Sequence, residues 1–404
     1  MALLAPIALA LSLDAPPDFL RATDGGFTLD SVQRRLPLII DSIVDSNKHY
    51  PQSAKRDLQT LKQQIQDNQP LRPLNNPTRE WEEELKPHLE RGCTWFSAPW
   101  FLVENYFYKR ILEITDPLTN RADPFAPQKS DSLESSANAF ADILESGVCD
   151  SPVNLPAVVT TSLWGNVADL SLSGGAKLAG LESSFTGATK SRMLVDDSPE
   201  LCHALAAAKE VIIVLDNCGL ELVADLVLTD ALSRLPVPPK VHLHVKDRPV
   251  FVSDVVKEDI TPTLAWLEEN GGGSLAARLK SALADSRVEV FSHEFYNSGR
   301  EFWNMPDDLR ECHSEACVVL LKGDANYRRL LGDRHWPHDT PFESLMRLYW
   351  PPGVDVAALR TCKSGVLIGV NPEVEAAAAS SGPDRWLTAG IYGMISFAGS
   401  MPSK

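Results

Sequence analysis

From residue 211 onward, short β-branched runs alternate with helix-forming stretches, and this alternation restricts the chain more than any other feature. The runs are VIIVL (211–215), VHLHV (241–245), VEVF (288–291), ACVVLLK (316–322) and VLIGV (366–370). Helical patterns at 219–235, 257–270 and 274–285 separate the first of them. Ser198-Pro199 reads as an N-cap and first helical position ahead of the series. Strand–helix–strand units predict a mainly parallel sheet, and right-handed crossovers put helices on both of its faces.

The N-terminal part reads as helix. Phe27, Val32, Leu36, Ile39, Ile40 and Ile43 fall near helical spacing, and a polar stretch of good helix formers follows. The aromatic run WFSAPWFLVENYFYKRIL places Trp100, Glu104 and Tyr108 at i, i+4 and i+8, the spacing of a buried helix. Residues 116–135 are rich in Pro and Ser and predict a loop. The expected organisation is a leader of unassigned role over 1–26, a helical domain over 27–150 and an α/β/α catalytic domain over 151–404.

Composition excludes several classes of function. Lys+Arg number 38 against 54 Asp+Glu, a net charge of −16 that disfavours nucleic acid as a partner. The uncharged stretches 151–168 and 386–403 carry Pro, Gly, Ser, Thr or Asn, so no membrane span or membrane partner is expected. The apolar N-terminus MALLAPIALALSL lacks the basic start of a signal peptide. Seven cysteines without CxxC spacing read as reduced thiols of a cytoplasmic or nuclear protein. Nothing in the composition sets an oligomeric state.

Ligands of open parallel sheets bind beyond the carboxyl ends of the strands, so strand tips are the places to look for chemistry. VIIVL runs into Asp216, Asn217, Cys218 and Gly219, with Glu221 and Asp225 on one face of the helix beyond. The apolar run PVFV (249–252) ends in Ser253-Asp254, a second acidic tip. Converging carboxylate and amide oxygens suit a hard divalent cation; the plainer reading is a pair of helix-capping Asx turns. After ACVVLLK come Gly323, Asp324, Asn326, Tyr327, Arg328 and Arg329, read as a cationic loop fit for a phosphate or carboxylate. No GxxxxGK[ST] is present, so it is not a P-loop. Arg360, Thr361 and Lys363 precede the VLIGV run, and SLWGNVADLSLSGG (162–175) offers an uncharged polar surface to line a pocket.

DNxGxExxxD (216–225), FVSD (251–254), KGDxNYRRL (322–330) and RTxK (360–363) occur in one chain in that order. With WFxxPWxxxExYxYxRI (95–111), SLWGN, DLSLSGG and WxxxGxYG (386–393), this set resembles the damage-control phosphatase family, in its Arg-Thr-x-Lys branch. The likeness runs from about 27 to 395. It implies an α/β fold: a helical N-terminal region packed on a Rossmann-like α/β/α sandwich. It implies a metal-dependent phosphatase of small phosphorylated metabolites, typically sugar phosphates such as fructose 1-phosphate or fructose 6-phosphate. By the resemblance the metal ligands and catalytic residues are Asp216, Asn217 and Asp254, and the metal is Mn²⁺, with Mg²⁺, Co²⁺ or Ni²⁺ as alternatives. Substrate contacts are Asp324, Asn326, Tyr327, Arg328 and Lys363, with Asn166 and Glu104 from the outlying motifs. Cys218 stands where a small residue is usual, and Gly365 where an acidic one often follows RTxK.

Two mechanisms fit these residues: attack by a metal-bound water, or by the Asp216 carboxylate. Two other functions compete with hydrolysis. One is an S-adenosylmethionine-dependent carboxyl methyltransferase, for which Gly174-Gly175 is the nearest glycine pair and no GxGxxG exists. The other is a non-catalytic metabolite-binding protein on the same fold.

Overall fold

The computed structural model describes residues 17–119, 121–172, 190–380, 382 and 385–399. Seven strands form one sheet: β1 (Met193–Asp196), β2 (Glu210–Val214), β3 (Lys240–Lys246), β4 (Val288–His293), β5 (Val318–Lys322), β6 (Asp355–Thr361) and β7 (Gly393–Ala398). Their order is β1-β7-β6-β5-β2-β3-β4, and every neighbouring pair is parallel except β6–β7. The chain moves outward from β2 to β3 and β4, then returns to place β5 on the other side of β2. That reversal opens a crevice at the carboxyl ends of β2 and β5.

Central strands buried on both faces show why these runs are apolar throughout. Ile212, Val214, Val319 and Leu321 face one core, shared with Trp95, Trp100, Tyr106 and Tyr108 of the helical N-terminal part. Val211, Ile213, Val318 and Leu320 face the other, closed by helices Leu155–Leu172 and Leu220–Ser233. Every residue from Leu220 to Leu232 is buried, so this helix is an internal element. The Leu155–Leu172 helix crosses it closely at Gly165, where a Cβ would lie 2.9 Å from Ala224 Cβ. Among the described residues no helix is long and apolar enough to cross a membrane.

The structure departs from the expectations at several places. Residues 116–135 are mostly helix: Trp100–Thr119 runs through Pro117, and Ala126–Ser135 carries Pro127 in its first turn, where the fixed φ is tolerated. VLIGV (366–370) is an irregular buried segment; Asp355–Thr361 and Gly393–Ala398 take its place in the sheet. Residues 249–255 are a turn beyond β3, and the 323–331 segment is a helix (Gly323–Leu331). Of the segment read as a leader, Leu20 is buried; its N–H donates to the Asp333 carbonyl, and its carbonyl accepts from Trp100 N–H.

Behind β3, His244, Tyr296 and His313 form a fully buried relay, with Tyr296 Oη 2.7 Å from His244 Nδ1 and 2.9 Å from His313 Nε2. Burial holds both imidazoles neutral and pushes His313 down to about 3. A base whose folded pKa is depressed supports the fold above its unfolded value, near 6.5, and withdraws that support as pH falls below it. Between pH 6.5 and 5 His313 is expected to remove about 2 kcal/mol. Denaturant unfolding of His313→Gln should show a pH-dependent loss smaller by that amount; an unchanged slope would contradict the buried neutral state.

Candidate active site at the β2 and β5 tips

β2 delivers Asp216 and Asn217 to the crevice, and Gly219, at φ +75°, turns the chain into helix Leu220–Ser233. The 250–256 turn folds back over this tip. Cys218 N–H donates to Ser253 O at 2.7 Å, Val255 N–H to Asp216 O at 2.8 Å, and Lys246 N–H to Val255 O at 2.9 Å. Ser253 Oγ donates to Asn217 Oδ1 at 2.5 Å. Phe251 and Val252 sit in the left-handed region at φ +52° and +69°. Such strain persists only where surroundings enforce it; here the Phe251 ring lies 5.9 Å from Phe101 and 5.4 Å from Tyr108. The strained turn brings Asp254 opposite Asn217.

The centre is a buried carboxylate cluster. Asp216, Glu221, Asp225 and Asp254 are 4%, 2%, 1% and 1% exposed. Asn217 Nδ2 donates to Asp216 Oδ2 at 2.7 Å and Glu221 Oε2 at 2.9 Å. Asp216 Oδ1 and Asp254 Oδ2 have no hydrogen-bond partner; the latter has only an ion pair with Lys246 Nζ at 3.4 Å. Desolvation, then the Glu221 and Asp254 charges, push the Asp216 carboxyl well above its usual range. Desolvation raises Asp254 to about 6 against the pull of Lys246. Asp225 is compensated differently: Lys322 Nζ lies 2.9 Å away, Ser162 Oγ donates to it at 2.6 Å, and Lys322 also donates to Ser162 O. Oxygen donors with unpartnered lone pairs in a buried, anionic setting fit a hard divalent cation. Among the described residues no three His, Cys, Asp or Glu side chains are arranged to hold a metal ion; the candidate set is two carboxylates and an amide.

β5 supplies the opposite wall. Gly323 has φ +79°, and a Cβ there would sit 1.8 Å from Asp216 Oδ2, so only glycine lets the two tips meet. Helix Gly323–Leu331 begins at this point, and its first-turn N–H groups lack intrahelical acceptors, the arrangement of an anion site. Asp324 Oδ1 accepts from Lys363 N–H and Ser364 Oγ, each at 3.1 Å, and pairs with Arg360 at 3.1 Å. Arg360 in turn lies over the Tyr327 ring at 4.0 Å. The loop carrying Lys363 is also tied by Cys362 N–H to Tyr392 O, so Gly365 does not leave it loose. Lys363 itself is half-buried at the crevice.

The other residues assigned to substrate are scaffold as placed. Asn326 is fully buried, its Nδ2 donating to Lys322 O at 2.8 Å and Leu215 O at 3.2 Å. Tyr327 is fully buried, and its hydroxyl accepts from Ile368 N–H. Arg328 is 2.7 Å from both Glu104 and Asp333, and its guanidinium stacks 3.6 Å over Trp100. Glu104 is thereby committed to Arg328. Asn166 lies on helix Leu155–Leu172, its side chain outside the described residues, as is Gly174-Gly175. Replacing Arg328 with Met is expected to cost about 3–5 kcal/mol, because Glu104 and Asp333 are left buried and unpaired; a denaturation midpoint equal to wild type would refute the pairing.

Sequence reasoning missed Lys246, the last residue of β3, and read Lys322 with the cationic loop fit for a phosphate or carboxylate; the structure pairs it with Asp225. Position was the available signal: each ends an apolar run at the carboxyl edge of the sheet.

The acidic cluster around Asp216 meets the N-terminus of helix Gly323–Leu331 at the switch point of a mostly parallel sheet, the place where open α/β sheets bind their ligands. The chain belongs to the damage-control phosphatase ARMT1-like family, whose domain model matches residues 31–377. Damage-control phosphatase ARMT1 of Xenopus tropicalis is 30% identical, covering 96% of this chain and all of the frog protein. The rat and human proteins of that name are 30% and 28% identical over 95% and 93% of this chain. A crystal structure of a DUF89 family protein from Pyrococcus horikoshii covers 84% of this chain and 91% of its own, at 14% identity and TM-score 0.49.

Proposed function

We propose that this protein is a divalent-cation-dependent phosphatase of small phosphorylated metabolites, with sugar phosphates such as fructose 1-phosphate or fructose 6-phosphate as substrates. One observation carries the reading: two buried carboxylates, Asp216 and Asp254, keep oxygens without hydrogen-bond partners, and Asp216 lies against Gly323 at the start of helix Gly323–Leu331. Family membership supports the phosphatase class. Mn²⁺ is the proposed cation, and the seven free thiols suit a cytoplasmic location.

Asp216, Asp254 and Asn217 would hold the cation, Asn217 after turning its amide oxygen toward the carboxylates. The bound cation supplies Lewis acidity toward a phosphoryl oxygen and acidifies a coordinated water. Lys246 and Lys322 balance the acids from the protein side. First-turn amides after Gly323 receive phosphoryl oxygens, and Lys363 adds positive charge there. Arg328 acts at a distance, fixing the helix against Glu104 and Asp333. Asp324, a substrate contact by the resemblance, braces the Lys363 loop.

Phosphate release from a sugar-phosphate panel, with Mn²⁺, Mg²⁺, Co²⁺ or EDTA, tests the reading. Turnover that needs added metal and stops with EDTA is expected. Folded protein that releases no phosphate with any metal would contradict it; so would turnover that EDTA leaves intact.

A further inference from the structure

Two buried lysines belong to the carboxylate cluster, and their donors are spent differently. Lys322 Nζ donates to Ser162 O at 2.7 Å and pairs with Asp225 at 2.9 Å, with Glu221 at 3.7 Å. Lys246 is 2% exposed, and its ammonium has one polar contact among the described residues, Asp254 Oδ2 at 3.4 Å. A formed charge-assisted bond measures roughly 2.7–2.9 Å. Neither Lys246 Nζ nor Asp254 Oδ2 has a hydrogen-bond partner. The Tyr296 ring lies 5.9 Å from Nζ, near the limit of cation–π attraction. An ammonium carries three N–H donors, and leaving them unspent in a buried place is costly, so a fold rarely keeps them idle without a use.

The backbone fixes where this ammonium stands. β3 pairs in parallel with β2, Val214 beside His244, so Lys246 ends its strand next to the tip that carries Asp216. Lys246 N–H donates to Val255 O and Val255 N–H to Asp216 O, which ties Lys246, the Asp254 turn and the Asp216 tip together. Gly323 and the start of helix Gly323–Leu331 meet Asp216 from β5, on the other side of β2. The Asp216 centre therefore has a helix N-terminus on one flank and the Lys246 ammonium on the other. The charges of Lys246 and Lys363 both act on the Asp216 carboxyl.

A positive charge placed here works against a bound cation, because like charges in a buried site repel strongly. It works for an anion that reaches the same centre. We propose that Lys246 is a direct contact of the phosphoryl group, donating to one of its oxygens from the flank opposite helix Gly323–Leu331, an assignment that rests on the phosphatase reading for the identity of the anion. Asp254 then has two duties: it faces the cation site, and it keeps the ammonium close without using up its donors. Lys322, held by Ser162 and Asp225, stays a structural counter-charge.

Isothermal titration of the full-length protein tests the contact. Wild type and Lys246→Met are titrated with Mn²⁺, and both are titrated with inorganic phosphate with and without Mn²⁺. In the variant, Mn²⁺ affinity should be at least that of wild type, because a repelling charge is gone. Its dissociation constant for phosphate, Mn²⁺-loaded, should be at least ~10-fold higher, the scale of one lost charge-assisted contact. Lys109→Met makes the same charge change at a half-buried lysine that lines a separate cleft, and should leave phosphate affinity unchanged. If Lys246→Met does not fold, Lys246→Gln, which keeps donors toward Asp254, takes its place with the same expectations. Phosphate affinity equal to wild type, or weakened Mn²⁺ binding in the variant, would overturn the contact and leave the lysine serving Asp254 alone. Wild type that binds no phosphate in either state would overturn it too. Lys246-dependent phosphate binding in a protein without turnover would instead count against the phosphatase reading and leave the contact standing.

Discussion

Asp216→Asn is expected to lower turnover on the order of 10³-fold and, in cation-free protein, to raise stability by about 0.5–2 kcal/mol. The two effects have one origin. Asp216 is buried among Glu221 and Asp254, and its carboxyl resists ionisation in the fold. An acid whose folded pKa lies above its unfolded value costs stability once pH rises past the unfolded value, near 4. At neutral pH that cost is present, and the neutral amide removes it. The gain should therefore shrink toward zero as pH falls to about 4. Adding Mn²⁺ should stabilise wild type by mass action and leave the variant unmoved. Thermal unfolding with and without the metal, beside a phosphate-release assay, measures all of this. A variant less stable than wild type in EDTA would show that Asp216 supports the fold instead of straining it.

Gly323→Ala is expected to damage the same centre sterically. Left-handed φ costs an alanine about 1–2 kcal/mol, and forced overpacking about 1–3 kcal/mol more. The clash cannot be absorbed by Asp216, because its carbonyl accepts from Val255 N–H and its carboxylate from Asn217. The variant should lose about 2–5 kcal/mol and, where still folded, most of its activity. Gly365→Ala is the control: a Cβ there meets nothing within 4 Å, and its φ is ordinary. Urea denaturation of the pair separates the cases; equal stability of both variants would contradict the contact between the two strand tips.

Much of the fold was legible because the central strands are buried on both faces and read as continuous apolar runs. β6, with Ala357 and Ala358 at its middle, was not: helices pack closely there, small residues serve, and the β-branched signature is absent. VLIGV misled for the opposite reason. Val366, Leu367 and Ile368 are buried in the core without joining the ladder, and burial alone cannot tell a strand from a packed loop. PVFV misled because a Phe and a β-branched Val in left-handed geometry defy local propensity; the surrounding aromatics decide it.

The site divided along the same line. That Asp216, Asn217 and Asp254 come together was legible because strand tips are local and the tip rule is general. Arg328 was read as a phosphate contact because its true partners are remote: Glu104 lies 224 residues away in sequence. A cation at a strand tip looks the same from sequence whether it faces a ligand or a buried carboxylate. Asp324, a substrate contact by the resemblance, is joined in the structure to Arg360 and the Lys363 loop.

Asp216, Asn217 and Asp254 are proposed to hold one divalent cation. Isothermal titration of EDTA-stripped protein with Mn²⁺, beside the folded Asp254→Asn variant, tests it most directly. The account expects one bound ion per chain in wild type and at least ~10-fold weaker binding in the variant. Wild type that binds no Mn²⁺, or a variant that binds it as tightly, would contradict the assignment.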